Sequence, residues 1–125
     1  VKEGLIRKWY ENGNKKIEYT QKDLERNGIG KFDGLYTQWY RNGMEQRSGI
    51  YRDGKKQEVW IWWDEDGWKL GEGTYKDGKR IGVWTWWYSN GQKSRESKYK
   101  NGDKISQKEW DEDGSKSIFS GILYE

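Results

Sequence analysis

Gly82-Val83-Trp84-Thr85-Trp86-Trp87-Tyr88-Ser89-Asn90-Gly91 is a run of aromatic and β-branched residues closed by Asn-Gly. Twenty-four residues earlier the chain reads Glu58-Val59-Trp60-Ile61-Trp62-Trp63-Asp64-Glu65-Asp66-Gly67. Twenty-four before that it reads Gly34-Leu35-Tyr36-Thr37-Gln38-Trp39-Tyr40-Arg41-Asn42-Gly43. A fixed period of this size is the mark of a stacked repeat, in which each unit leans on its neighbours and the array offers an extended surface. Each run has a second half, ending at Tyr51 to Gly54, Tyr75 to Gly78 and Tyr99 to Gly102. Both halves favour strand, and both close on Asn-Gly or Asp-Gly, the strongest local signal for a tight hairpin turn. There is no Pro and no 3.6-residue apolar period, so helices have no support.

Outward from the centre the units change. Gly4, Trp9 and Gly13 keep the spacing, but the first unit is longer, and its extra residues fall in segment 20–33 around Asn27-Gly28. The last unit loses a residue before Trp110 and Gly114, and its aliphatic end (Ile118, Phe119, Ile122, Leu123) reads as a cap. The expectation is one all-β domain, 1–125, with units 4–33, 34–57, 58–81, 82–105 and 106–125. Its architecture is an antiparallel hairpin meander of about ten strands, a twisted single-layer sheet about 45–50 Å long at about 4.8 Å per strand. Closure into a barrel is not required by anything in the sequence.

Hydrophobic residues are 31% of the chain and charged ones 36%, a balance that by itself would suggest disorder. Ten Trp and nine Tyr outweigh it, because each buried ring removes about 150–250 Å² from water. The net charge of +3, with acids interleaved among the lysines, argues against nucleic acid. Most lysines flank turns (Lys15 and Lys16, Lys55 and Lys56, Lys79 and Arg80, Lys104) and read as solvated hairpin ends rather than a basic patch. With no Cys and no His, disulfides, the commonest general base and the commonest transition-metal ligand are all missing. No apolar run is long enough for a membrane helix. The opening at Val1, already in repeat phase, reads as a trimmed product whose leader or lipid anchor would lie outside this sequence.

Alternation along a strand sorts the tryptophans into two sets. Trp9, Trp39, Trp63, Trp87 and Trp110 recur in every unit, beside Leu5, Leu35, Val59 and Val83, and read as the structural column. Gly49, Gly73 and Ser97 would make room for its indoles. The other face carries Tyr36, Trp60, Trp62, Trp84, Trp86 and Tyr88 in the middle units only, and these six are the candidate partner-binding residues. Segment 20–33 is a second candidate. Two other readings of the aromatic face stay open: a homodimer seam, and the inside of a closed or sandwiched core.

No enzyme is expected. Asp64-Glu65-Asp66-Gly67 and Asp111-Glu112-Asp113-Gly114 lack the ligand spacing of a calcium loop and sit where the repeat turns. Glu18, Glu72 and Glu96 form an outward column rather than a facing pair across a cleft. No phosphate loop, nucleophile–base pair or metal cluster occurs, so no cofactor and no metal is expected.

The unit Gly82 to Lys93 resembles the bacterial variant of the MORN repeat: glycine, an apolar residue, Trp, an aromatic pair, Asn-Gly, then Glu and Tyr before the next Asn/Asp-Gly. The chain departs from that pattern at Glu58 and Ser106, where glycine is usual, and in the long first hairpin. Chains of this kind are grouped as YwqK-like antitoxin or immunity proteins. The resemblance implies a cytoplasmic bacterial protein that binds and blocks a cognate toxin. The alternative it implies is a secreted or surface module recognising a host protein or glycan. Replacing Trp62 and Trp86 by Ser distinguishes the readings of the aromatic face. Loss of the folded state, followed by circular dichroism, marks packing; loss of partner capture by a folded variant marks an interface.

Overall fold

The computed structural model describes residues 3–26, 28–116 and 121–122. Among the described residues ten strands follow one another as an open antiparallel sheet in the order of the chain: β1 (Glu3–Trp9), β2 (Lys15–Lys22), β3 (Lys31–Trp39), β4 (Glu45–Arg52), β5 (Lys55–Trp63), β6 (Lys69–Lys76), β7 (Lys79–Trp87), β8 (Lys93–Lys100), β9 (Asp103–Glu109) and β10 (Gly121–Ile122). Every substantial strand–strand contact is between sequence neighbours, as a linear repeat array requires. The all-β meander is as expected; of the expected cap, Ile118, Phe119 and Leu123 lie outside the described residues, and Ile122 pairs with Ser106 of β9.

One dipeptide makes two kinds of turn. Asp53-Gly54, Asp77-Gly78 and Asn101-Gly102 have both residues at positive φ, from 50° to 90°, and join their strands through two-residue turns. At Asn12-Gly13, Asn42-Gly43, Asp66-Gly67 and Asn90-Gly91 only the glycine is left-handed. There the Gly43 amide donates to the Tyr40 carbonyl and the Tyr40 amide to the Met44 carbonyl, a wider loop that ends in a glycine bulge. The side chain at the Asn or Asp position braces its own loop: Asn42 Oδ1 accepts from the Met44 amide at 2.9 Å, and Asn90 Oδ1 from the Gln92 amide. The lengthened first unit places its extra residues between β2 and β3, where residues 23–30 replace a two-residue turn. Gln21 Nε2 donates to the Gly28 carbonyl and the Glu25 amide to Ile29, which ties that loop down; Asn27 lies outside the described residues.

A second bulge recurs near the start of β3, β5 and β7. Register against the preceding strand slips between Tyr19 and Gln21, between Ser48 and Ile50, and between Glu72 and Thr74. Gly34, Glu58 and Gly82 sit in these bulges, all at positive φ, with Glu58 at 60°. The departure from glycine at position 58 is therefore a strained one.

The core is on the face opposite to the one expected. Trp60 and Trp84 are 1% and 0% exposed, and Tyr36 and Tyr75 are also buried. Tyr51, Tyr99, Phe32, Tyr19, Trp62 and Trp86 pack around them. The column of tryptophans that recurs in every unit faces outward or sits at the strand ends. Trp9 is 56% exposed, and the aliphatic residues on its face, Leu5, Leu35, Val59 and Val83, are all more than half exposed. The physical reason is cross-strand register. Residues directly opposite one another share a face, and the pairs are Tyr36 with Gly49, Trp60 with Gly73, and Trp84 with Ser97. The small residues therefore make room for the middle-unit rings. A Cβ built on Gly49 would lie inside the Trp60 indole, and one on Gly73 inside that of Trp84.

Two substitutions test this packing. Gly73→Ala should cost more than about 2 kcal/mol, since neither the strand backbone nor a fully buried indole can give way. Glu58→Gly should raise stability by up to about 1 kcal/mol by releasing left-handed strain. Urea midpoints at unchanged m-value check both.

Candidate binding face

The inner face is a continuous layer of rings. Tyr36 meets Trp60 at 5.7 Å between centroids, Trp60 meets Tyr75 at 6.2 Å, and Tyr75 meets Trp84 edge-on at 4.9 Å. Indole N–H groups inside this layer find backbone acceptors: Trp60 Nε1 donates to the Ile50 carbonyl at 3.1 Å and Trp84 Nε1 to Thr74 at 3.2 Å. Of the six residues expected to face a partner, Tyr36, Trp60 and Trp84 are thus packed floor, with no ring face presented outward. Trp62 and Trp86 are half-buried on the same face, tilted against each other at 5.6 Å. Trp86 covers Gly71 much as Trp84 covers Gly73.

Tyr88 belongs to a different device. Its hydroxyl donates to the Trp110 carbonyl at 2.7 Å, as Tyr40 does to Trp63 and Tyr10 to Trp39. Alongside, Asn90, Asn42 and Asn12 donate side-chain N–H to Glu112, Glu65 and Arg41 carbonyls. These bonds clip the first-half loops of the first, second and fourth units to the unit that follows. Burial first, and the charges of Glu65 and Asp64 second, raise the Tyr40 hydroxyl above its ordinary pKa. In the third unit, Asp64 and Asp66 stand where the clip needs a tyrosine hydroxyl and an amide N–H. Asp64 Oδ1 instead accepts from the Asp66 and Trp68 amides at 3.0 and 2.9 Å, which is the turn chemistry expected of that acidic run.

A concavity of about 570 Å³ opens where β7 and β9 end and β8 begins. Trp86, Trp87, Tyr88 and Trp110 line it together with Leu70, Ser94, Arg95, Glu109 and Asp111. The Arg95 guanidinium lies over Trp86 at 5.7 Å, and its Nε is buried without a hydrogen-bond acceptor among the described residues. A buried donor left unpaired beside an open groove is a costly feature in a structure that otherwise pairs its polar groups. Sequence pattern alone does not bring Arg95, Trp87 or Trp110 into a site. Their common position at the sheet's edge follows from the cross-unit clip, which no local pattern shows.

The turn-flanking cations divide. Lys55 and Lys79 are exposed as expected, but their neighbours Lys56 and Arg80 turn onto the inner face. Lys56 Nζ lies 4.9 Å from the Trp60 ring and 5.1 Å from that of Tyr75; the Arg80 guanidinium is 4.4 Å from Trp84 and 5.4 Å from Tyr99. Burial, then the charges of Arg47 and Arg80, hold the Lys56 ammonium below the usual lysine pKa. On the outer face the repeated glutamates are paired: Glu18 with Arg7 and Lys15, Glu72 with Lys69, Glu96 with Lys93. The outward carboxylate column is therefore a set of surface ion pairs.

A family model described as the MORN repeat variant matches residues 2–23, 59–77 and 80–101. No curated protein and no solved structure matches the chain. The matched segments fall in the first, third and fourth units and include Trp60, Trp84 and Gly73, the glycine opposite Trp60 and beneath the Trp84 ring. Tyr88→Phe, which removes one clip bond and leaves the ring, should cost about 1 kcal/mol. Thermal unfolding of the variant beside wild type measures it.

Proposed function

We propose, from the premise that the chain belongs to the MORN repeat variant family, that it is a non-enzymatic module that binds another protein, and that its partner is a bacterial toxin which it neutralises as a cytoplasmic immunity protein. Repeats of this family are generally non-catalytic binding units, and an array held by neighbour contacts offers surface rather than a closed cleft. The observation that carries the reading is the groove beside Trp86 and Tyr88, where aromatic rings adjoin an Arg95 donor lacking an acceptor among the described residues. Aromatic and arginine side chains together make the strongest anchors at protein interfaces. Trp62, Trp86 and Tyr88 are the reachable members of the six aromatic candidates, while Tyr36, Trp60 and Trp84 support them from below. Segment 20–33, with Ile29 exposed in its loop, is the second contact candidate.

A secreted or surface module that binds glycan is the second reading, because an open groove walled by Trp86 and Trp110 also suits a sugar ring. Capture of the protein encoded beside this gene decides between them. Arg95→Ser and Trp86→Leu should each keep the sheet's circular dichroism and weaken capture at least tenfold, about 1.4 kcal/mol. If no protein is captured and glycans shift the tryptophan fluorescence, the toxin-binding reading is wrong.

A further inference from the structure

Lys56 and Arg80 occupy one position of the 24-residue repeat, and both lie over the buried ring layer rather than in solvent. Tyr75 stands between them: its ring is 5.1 Å from Lys56 Nζ, and it is the residue directly opposite Arg80 in the sheet. Arg47 approaches the same layer from the next row, 6.0 Å from the Tyr36 ring. Among the described residues none of the three cations has a carboxylate partner. Arg80 donates to the Tyr99 hydroxyl and Arg47 to the Gln38 side chain, while Lys56 has only ring faces beneath it. The acids that could have balanced them, Glu72 and Glu96, are on the outer face and already paired. Around these cations charge is thus segregated across the sheet: Glu72 and Glu96 are neutralised outside, while Lys56, Arg80 and Arg47 lie inside without a carboxylate partner among the described residues.

Lysine and arginine stems covering aromatic surface are an ordinary way to shield it, and each cation gains about 0.5–2 kcal/mol over a ring. That explains one cation per ring. It does not explain three like charges crowded together, each raising the cost of the others. Such crowding is relieved when an anion sits among them.

We propose that the inner-face cations Lys56 and Arg80, flanked by Arg47, form a docking site for the carboxylates of an acidic segment of a protein partner. The inference rests on the reading of the chain as a protein-binding module and names the chemistry of what is bound. A carboxylate takes a forked pair of hydrogen bonds from the arginine and a point contact from the lysine. A nucleic acid fits less well. Base stacking needs free ring faces, and Trp60, Tyr75 and Trp84 beneath these cations are buried.

The test uses the whole chain and a hexaglutamate peptide at low ionic strength, followed by the indole N–H resonances of Trp60 and Trp84. Wild type should show saturable shifts. K56Q/R80Q should bind at least tenfold more weakly, whereas K55Q/K79Q, with the same charge change on the exposed neighbours, should stay within twofold. K56R, which keeps the charge, should also stay within twofold; near-UV circular dichroism confirms folding of each. Equal loss in both double variants would reduce the effect to net charge and overturn the proposal. So would absence of wild-type binding, inorganic phosphate binding as tightly as the peptide, or hexathymidylate binding more tightly. If K56Q/R80Q still captures the neighbouring gene's product at full affinity, the acidic-segment inference fails while the binding-module reading stands.

Discussion

An indole lying flat on a glycine across the sheet is the contact on which the rest of the molecule depends. A single-layer sheet has no second layer to bury its apolar face, so it must cover that face with its own side chains. Trp60 over Gly49 and Trp84 over Gly73 do this: two large rings occupy space that any side chain on those glycines would take. Their N–H groups close onto backbone carbonyls of the preceding strand, which fixes the tilt of each ring as well as its place. Tyrosines 51, 75 and 99 then stand edge-on against them, and the layer continues ring to ring from Tyr19 to Tyr99.

The bulges at Gly34, Glu58 and Gly82 belong to the same device. Each shifts the register by two residues, which keeps the alternation of faces while moving the tryptophan or tyrosine of the next strand over the small residue before it. Strand twist increases at such points, so the inner face gathers its rings while the outer face spreads. This is why Leu35, Val59 and Val83 are left exposed even though they are the more aliphatic set. The Tyr and Asn clips at the loops carry the same order from unit to unit along one edge, with a gap at Asp64 and Asp66.

Much of the architecture is legible in the residues themselves. Period, strand content, turn positions, the long first connection and the shortened last unit all follow from glycine and tryptophan spacing. Which face is core also has its answer in the sequence, although recurrence of a residue in every unit points to the wrong one. Counting back from the Asn42-Gly43 loop puts Tyr36 opposite Gly49, so the small residues belong to the middle-unit rings. Trp9, Trp39, Trp63 and Trp87 recur for a different reason: they end strands beside a bulge. The inward turn of Lys56 and Arg80 is not legible from flanking position alone, since Lys55 and Lys79 beside them point the other way.

By itself the sequence determined a linear all-β array, because hairpin turns and strand propensities act over a few residues and repeat every unit. Only the tertiary structure decided which face became the interior, because that depends on two bulky rings finding glycines one strand away. It also decided which cations lie over rings and which polar donor is left without an acceptor among the described residues. Those outcomes depend on several strands converging at once, and no single unit contains them.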